Sequence, residues 1–156
     1  MNLTQKIFSF FKGSWSASRT IVNTGAFNGT ASFESSETNA NELIYNEKGV
    51  FEFFDRADSK FDASRSFLYS LVDDKDIQVF FNDKGSEKKL FHCFRCESIG
   101  DHTENRIKFK NRHFCSPDTY DITYEIDFEN DQFEITYDVS GPEKSYISKT
   151  LFKKIS

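Results

Sequence analysis

The sequence predicts an antiparallel up-and-down β-barrel of eight to ten strands behind a short N-terminal helix. Three observations carry that prediction. Alternating apolar and polar runs recur with turn clusters about every ten residues. No long helix separates them, and rings are abundant, with 19 Phe, 6 Tyr and 1 Trp in 156 residues. Parallel βαβ units need crossover helices, which the pattern lacks. A meander that closes on itself removes its edge strands and encloses an interior that large rings can fill or line. A β-sandwich is the alternative. The length fits one domain over residues 1–156. A domain of this size buries roughly 70% of its unfolded surface and needs no metal or disulfide to hold it.

In chain order, residues 3–12 (LTQKIFSFFK) read as the helix. Leu3, Ile7, Phe10 and Phe11 fall at helical spacing, and Gly13 is its stop. Residues 14–22 open the sheet, with Trp15, Ala17, Arg19 and Ile21 on one face and Ser14, Ser16, Ser18 and Thr20 on the other. Short strands follow at 29–34, 42–47, 49–54, 64–71, 76–81 and 89–96, with 54–64 an irregular connection and 82–89 and 97–105 polar turns. Within 89–96, Leu90, His92 and Phe94 share an apolar face, while His102 falls in a polar turn. The basic run at 106–113 (RIKFKNRH) separates Lys108, Lys110 and Arg112 from Ile107, Phe109 and His113. Residues 119–128 and 132–140 form the clearest hairpin. Tyr120, Ile122, Tyr124, Ile126 and Phe128 share a face, and so do Phe133, Ile135, Tyr137 and Val139. Residues 145–155 close the chain.

The formal net charge of −5 and sequence pI near 5.2 argue against a nucleic-acid binder. No run approaches the ~18 apolar residues that span a bilayer. The first residues lack a long apolar core and a small-residue cleavage site, so the protein is read as cytoplasmic. Three Cys is an odd number for a disulfide framework. Cys93 and Cys96 have CxxC spacing, but on a strand they face opposite sides, and no second CxxC completes a zinc site. They are read as reduced thiols, with no metal.

Three places could carry chemistry. At residues 111–120 (NRHFCSPDTY), His113 and Cys115 share a face on an extended chain. Pro117 fixes a turn there, and Asp118 can bond backbone amides ahead of the strand at Tyr120. Cys115 and His113 could act as nucleophile and base, and a His92 that also faces inward could meet His113. A single bulge between residues 105 and 115 would reverse every one of these faces. Secondly, Gly13-Ser14-Trp15 after the helix resembles the opening of calycin (lipocalin-like) barrels, in which the Trp plugs one end and an Arg packs across it. Arg19 is expected over Trp15 as a cation–π pair, with binding of a ligand carboxylate or phosphate as the alternative. Thirdly, Gly141 and Pro142 turn the chain into its last strand, and Lys144 and Tyr146 follow at alternating spacing, where Lys144 could neutralise an acidic ligand at a pocket mouth.

Together these stretches resemble a family of small uncharacterised bacterial and fungal proteins, classed as a domain of unknown function. Its pattern runs Gly-x-Trp with an Arg, Gly-x-Ala-x-Phe, Tyr-x-Glu-x-Gly, Phe-His, His-x-Cys-x-x-Asp-x-Tyr and Gly-Pro-x-Lys-x-Tyr. The resemblance covers nearly the whole chain. It marks Gly13, Trp15, Arg19, Gly29, Ala31, Phe33, Tyr45, Glu47 and Gly49, and then Phe91, His92, His113, Cys115, Asp118, Tyr120, Gly141, Pro142, Lys144 and Tyr146. It implies a lipocalin-like barrel and supplies no activity. This chain departs from it where Phe133 or Tyr137 stands in place of a Trp.

The expectation is therefore a barrel that binds a small apolar or aromatic molecule. Arg19, His92, His113, Tyr120, Lys144 and Tyr146 are the ligand contacts, and Gly13, Trp15, Asp118, Gly141 and Pro142 the structural residues. The first alternative is an isomerase, hydratase or hydrolase using His113 and His92 as acid–base groups, with Cys115 as a candidate nucleophile. The second is a haem-binding barrel with a His ligand. No cofactor is specified.

Overall fold

The computed structural model describes residues 1–56, 58–83, 89–95, 101–103 and 105–156. Helix α1 (Leu3–Phe11) is followed by β1 (Gly13–Ile21), β2 (Gly25–Ser35), β3 (Glu42–Phe53), β4 (Lys60–Val72), β5 (Asp76–Phe81) and β6 (Lys89–Arg95). The two-residue β7 (Asp101–His102), β8 (Arg106–Cys115), β9 (Asp118–Asp127), β10 (Gln132–Ser140) and β11 (Ser145–Lys154) complete the chain. Among the described residues all eleven strands belong to one antiparallel sheet in the order β6-β5-β4-β3-β2-β1-β11-β10-β9-β8-β7. β6 comes back beside β8, where Phe94 and Phe109 meet at 4.9 Å between ring centres. The result is a nearly closed lipocalin-like barrel, and the single sheet excludes the sandwich.

The alternation read for β1, β8, β9 and β10 is the observed one, with the apolar set buried or half-buried in each, except that Asp127 at the end of β9 is buried. Three details differ. The strands expected at 42–47 and 49–54 are one continuous strand, because Gly49 pairs directly with Gly29 and the ladder runs through it. A Cβ on either glycine would sit within 3 Å of backbone on the other strand. Residues 60–64, expected in a loop, already pair with β3. In β6 the register against β5 shifts between Val79 and Phe80, so an extra residue is accommodated at Phe91. Phe91 and His92 are consequently both buried, and Leu90 turns out to solvent rather than sharing their face. β8 keeps an unbroken register with β9, so the faces at 106–115 stand as read. Of the polar turns expected at 82–89 and 97–105, residues 84–88, 97–100 and 104 lie outside the described residues, as does Cys96, while Asp101–His102 form a short strand instead of a turn.

α1 closes one end. Asn2 caps it in a capping box with Gln5, and Asn2 and Thr4 tie it to the carbonyls of Asp74 and Lys75 in the β4–β5 turn. Its buried residues are Thr4, Ile7, Phe8 and Phe11, so Phe8 is added to the expected face while Leu3 and Phe10 pack at its edge. Phe11 reaches rings from four strands: Phe33, Tyr69, Tyr124 and Phe133. The chain then turns at Gly13, whose φ of +127° and close approach to the Ser156 carbonyl oxygen leave no room for a side chain. Trp15 Nε1 donates to the Phe11 carbonyl at 2.9 Å, so the indole both plugs the barrel and satisfies a helix end. The cation over its ring is Lys154, 5.0 Å away, not Arg19. Arg19 lies four residues further along the same face, about 13 Å up the strand, beyond reach of the indole. No helix among the described residues is long and apolar enough to cross a membrane.

Candidate functional site

Toward the end opposite α1, the inner wall carries charge. Arg19 on β1, Glu47 on β3 and Arg65 on β4 all occupy inward positions, and Glu47 and Arg65 are direct partners across the β3–β4 ladder. Arg19 reaches over β2 and grips the Glu47 carboxylate with both terminal nitrogens at 2.8 Å, while its Nε donates to Thr150 Oγ1 on β11 at 2.8 Å. Tyr45 Oη donates to Glu47 Oε1. Arg65 Nε lies 3.1 Å from the same oxygen, near enough for an ion pair but without the alignment of a hydrogen bond. Each guanidinium rests on a ring, Arg19 on Phe27 and Arg65 on Phe67. Burial would raise the Glu47 pKa, but Arg19's hydrogen bonds and the charges of Arg65 and Arg19 outweigh it and hold it at about 2. Two guanidinium groups thus face one carboxylate, leaving one positive charge in excess. Arg65 carries that excess. Its side chain is 37% exposed, and among the described residues its terminal nitrogens make no hydrogen bond.

These groups line a cavity of about 370 Å³ open to solvent. Its apolar wall is Ile21, Phe27, Phe51 and Ala63, and its polar wall continues through Tyr137, Tyr146 and Ser148. Burial raises the pKa values of Tyr137, Tyr146 and Tyr120, so all three remain neutral hydroxyls at physiological pH. A band of polar groups therefore crosses the barrel interior from Thr150 through the Arg–Glu–Arg cluster to the tyrosines.

Of the residues singled out from sequence, Arg19 and Tyr146 line this cavity and Tyr120 does not. Lys144 stands exposed, its Nζ 3.9 Å from Asp118 Oδ2. His113 is half-buried on the inner side of β8, opposite Tyr120. His92 is fully buried and does not line the cavity. Its Nε2 is 3.5 Å from the Tyr124 hydroxyl, which is 3.4 Å from that of Tyr69, and its Nδ1 has no partner. His92 and His113 both flank the Phe91 ring, at 4.8 and 6.3 Å, without a hydrogen bond between them. Nor does a hydrogen bond join His113 to Cys115 among the described residues, so the nucleophile–base pair is not assembled. Asp118 departs from expectation as well. It is 6% exposed, and its Oδ1 has no hydrogen-bond partner rather than capping backbone amides. It packs under Gly141, where an added Cβ would fall 2.1 Å from Oδ1. Gly141→Ala must push that carboxylate aside. It should cost about 1–3 kcal/mol, a range typical of overpacking, read as a lowered urea midpoint at unchanged m.

Arg65 and Glu47 complete the site, and residue-level reading did not single out Arg65. The available signal was a cation in phase with Phe67, Tyr69 and Leu71 on the apolar face of a strand.

A profile of a family of unknown function (DUF6314) matches residues 11–154. Among solved structures, the chain is similar to the S-type phycobiliprotein lyase CPES from Guillardia theta, at 9% identity with 95% of this chain and 89% of that chain covered and a TM-score of 0.51. It is also similar to a redesigned β-barrel, b11L5F_LGL, at 8% identity with 95% and 94% covered and a TM-score of 0.47. No curated protein matches the chain by sequence.

Proposed function

The chain belongs to the family of unknown function DUF6314, and from the cavity at the open end of its barrel we propose that it binds a small molecule with an apolar or aromatic body. The carrying observation is the composition of that cavity. A wall of Ile21, Phe27, Phe51 and Ala63 faces a few fixed polar groups held by Arg19, Glu47 and Thr150, the usual anatomy of a small-molecule pocket. Its volume of about 370 Å³ suits a ligand of modest size. Acid–base catalysis by His92 and His113 has less support. His92 is sealed from solvent, and burial, with a contribution from His113, lowers its pKa to about 3, so near neutrality it is not the imidazolium that a general acid requires. The same sealing disfavours His92 as a haem ligand.

The test is binding of the uncharged fluorescent amine N-phenyl-1-naphthylamine. The wild-type chain should bind it with enhanced, blue-shifted emission. Ala63→Trp, which fills the apolar wall, should weaken binding at least ten-fold while the far-UV circular dichroism stays that of the wild type. Equal binding by the two proteins would move the site elsewhere.

A further inference from the structure

The charge balance of the cavity narrows its ligand further, provided that the cavity is the binding site. Each of the three Arg19 nitrogens is engaged, through hydrogen bonds to Glu47 and Thr150. Glu47 has both oxygens occupied by Arg19, and one of them also by Tyr45. Arg65 is different. It shares Glu47 only through a poorly aligned Nε contact, and that buried Nε has no hydrogen-bond partner. Its charge is therefore the one answered only in part, beside a low-dielectric wall. An excess charge in such a place is unfavourable, and a ligand charge that meets it restores neutrality.

The size of the imbalance sets the size of the ligand charge. Two guanidinium groups and one carboxylate sum to plus one, so a monoanion brings the cavity to zero, whereas a dianion would leave it at minus one. The nearby cation Lys144 is already opposed by Asp118. A planar carboxylate also suits the fork of a guanidinium, and the neutral hydroxyls of Tyr137 and Tyr146 on the same wall can donate to it. The other requirement is apolar. Outward from Phe51 the rim is a ring cluster, with Phe51–Phe53 at 5.0 Å, Phe51–Phe61 at 5.3 Å and Phe53–Phe61 at 5.8 Å. Phe61 is 47% exposed, so this cluster presents uncovered apolar surface just above the charged floor.

We propose that the cavity takes an apolar carboxylic acid head first, with Arg65 meeting the carboxylate and the rings of Phe51, Phe53 and Phe61 holding the hydrocarbon body. Arg19 and Glu47 form the fixed base against which Arg65 is held, and Arg65 is the recognition residue.

The experiment is isothermal titration of the full chain at pH 7.5 with three probes that share one tail: sodium decanoate, decan-1-ol and decyl phosphate. Decanoate should bind about 10- to 100-fold more tightly than decanol, the range expected for hydrogen bonds to a charged group, and more tightly than decyl phosphate. Arg65→Met, which leaves the Arg19–Glu47 pair balanced, should bring decanoate down to the affinity of decanol and leave decanol unchanged. The comparison of probes on the wild-type chain stands even if that variant folds poorly. Equal binding of acid and alcohol would overturn the charge assignment while leaving the binding cavity intact. Tighter binding of decyl phosphate would overturn the monoanion. If neither decanol nor the naphthylamine binds, the cavity reading fails, and this inference falls with it.

Discussion

Glu47→Gln is expected to destabilise the fold by about 3–5 kcal/mol, the usual result of removing one partner of a buried ion pair. The amide keeps the volume and one acceptor oxygen, so packing is preserved and the charge alone changes. Arg19, buried and committed to Glu47 through two hydrogen bonds, would be left without a counter-charge beside an equally positive Arg65. Against a typical domain stability of about 5–15 kcal/mol, such a loss should move a urea midpoint far down or leave no folded baseline at 37 °C. Arg19→Met in the same chain should recover most of it, because a neutral pair of similar volume has no desolvated charge. A single Glu47→Gln chain as stable as the wild type would mean that the guanidinium groups reach water freely and that the cluster is not a buried one. The acid limb gives a second reading. Held at about 2, the Glu47 pKa lies well below the ordinary value near 4.5, so its contribution is intact above about pH 4.5 and is lost as the pH falls through 2. The Gln variant should lack that limb.

Much of the architecture was legible because one face of each strand is wet. In β9 and β10, a one-residue slip would put Tyr124 or Ile135 in water and Glu125 or Glu134 inside, so alternation fixes the register. The β6 bulge was not legible because Leu90 and Phe91 are both apolar, and period two cannot say which of the two turns inward. The site was legible in halves. An Arg in phase with Trp15 and Ala17 marks an inward cation, and the same parity was present at Arg65 beside Phe67 and Tyr69. What the alternation lacks is the partner. Arg19 meets Glu47 across an intervening strand, a contact made by barrel curvature and side-chain length rather than by any spacing along the chain. Glu47 was marked only through the family resemblance, and the preference for Trp15 under Arg19 followed from sharing a face without measuring the distance along it.

His92 should make the protein acid-sensitive well above the range in which carboxylates titrate. Its ring is packed among Phe91 and Phe94 on β6, Tyr124 on β9 and Tyr137 on β10, with the Tyr69 hydroxyl from β4 beyond Tyr124 and His113 on β8 as the nearby basic group. None of these supplies a negative charge, and burial with a smaller contribution from His113 lowers its pKa to about 3. The unfolded chain titrates near 6.5. Between those values the unfolded state binds a proton that the folded state refuses, so stability falls as the pH drops from about 6.5 toward 3. The slope is up to about 1.4 kcal/mol per pH unit. From pH 6.5 to 4.5 the loss should be about 2–3 kcal/mol, before Glu47 begins to contribute. His92→Phe keeps a ring in an aromatic setting and removes the unpartnered Nδ1. It should retain stability at pH 7 and flatten the dependence of unfolding free energy on pH by close to one proton over that interval. His113, half-exposed and with its own pKa lowered by burial, contributes a smaller dependence of the same sign. His92→Phe with the wild-type slope and His113→Asn with a flat one would assign the acid response to the outer histidine. The reverse pattern makes His92, together with Tyr124 and Tyr69, a structural polar island packed against Tyr137 of the cavity wall.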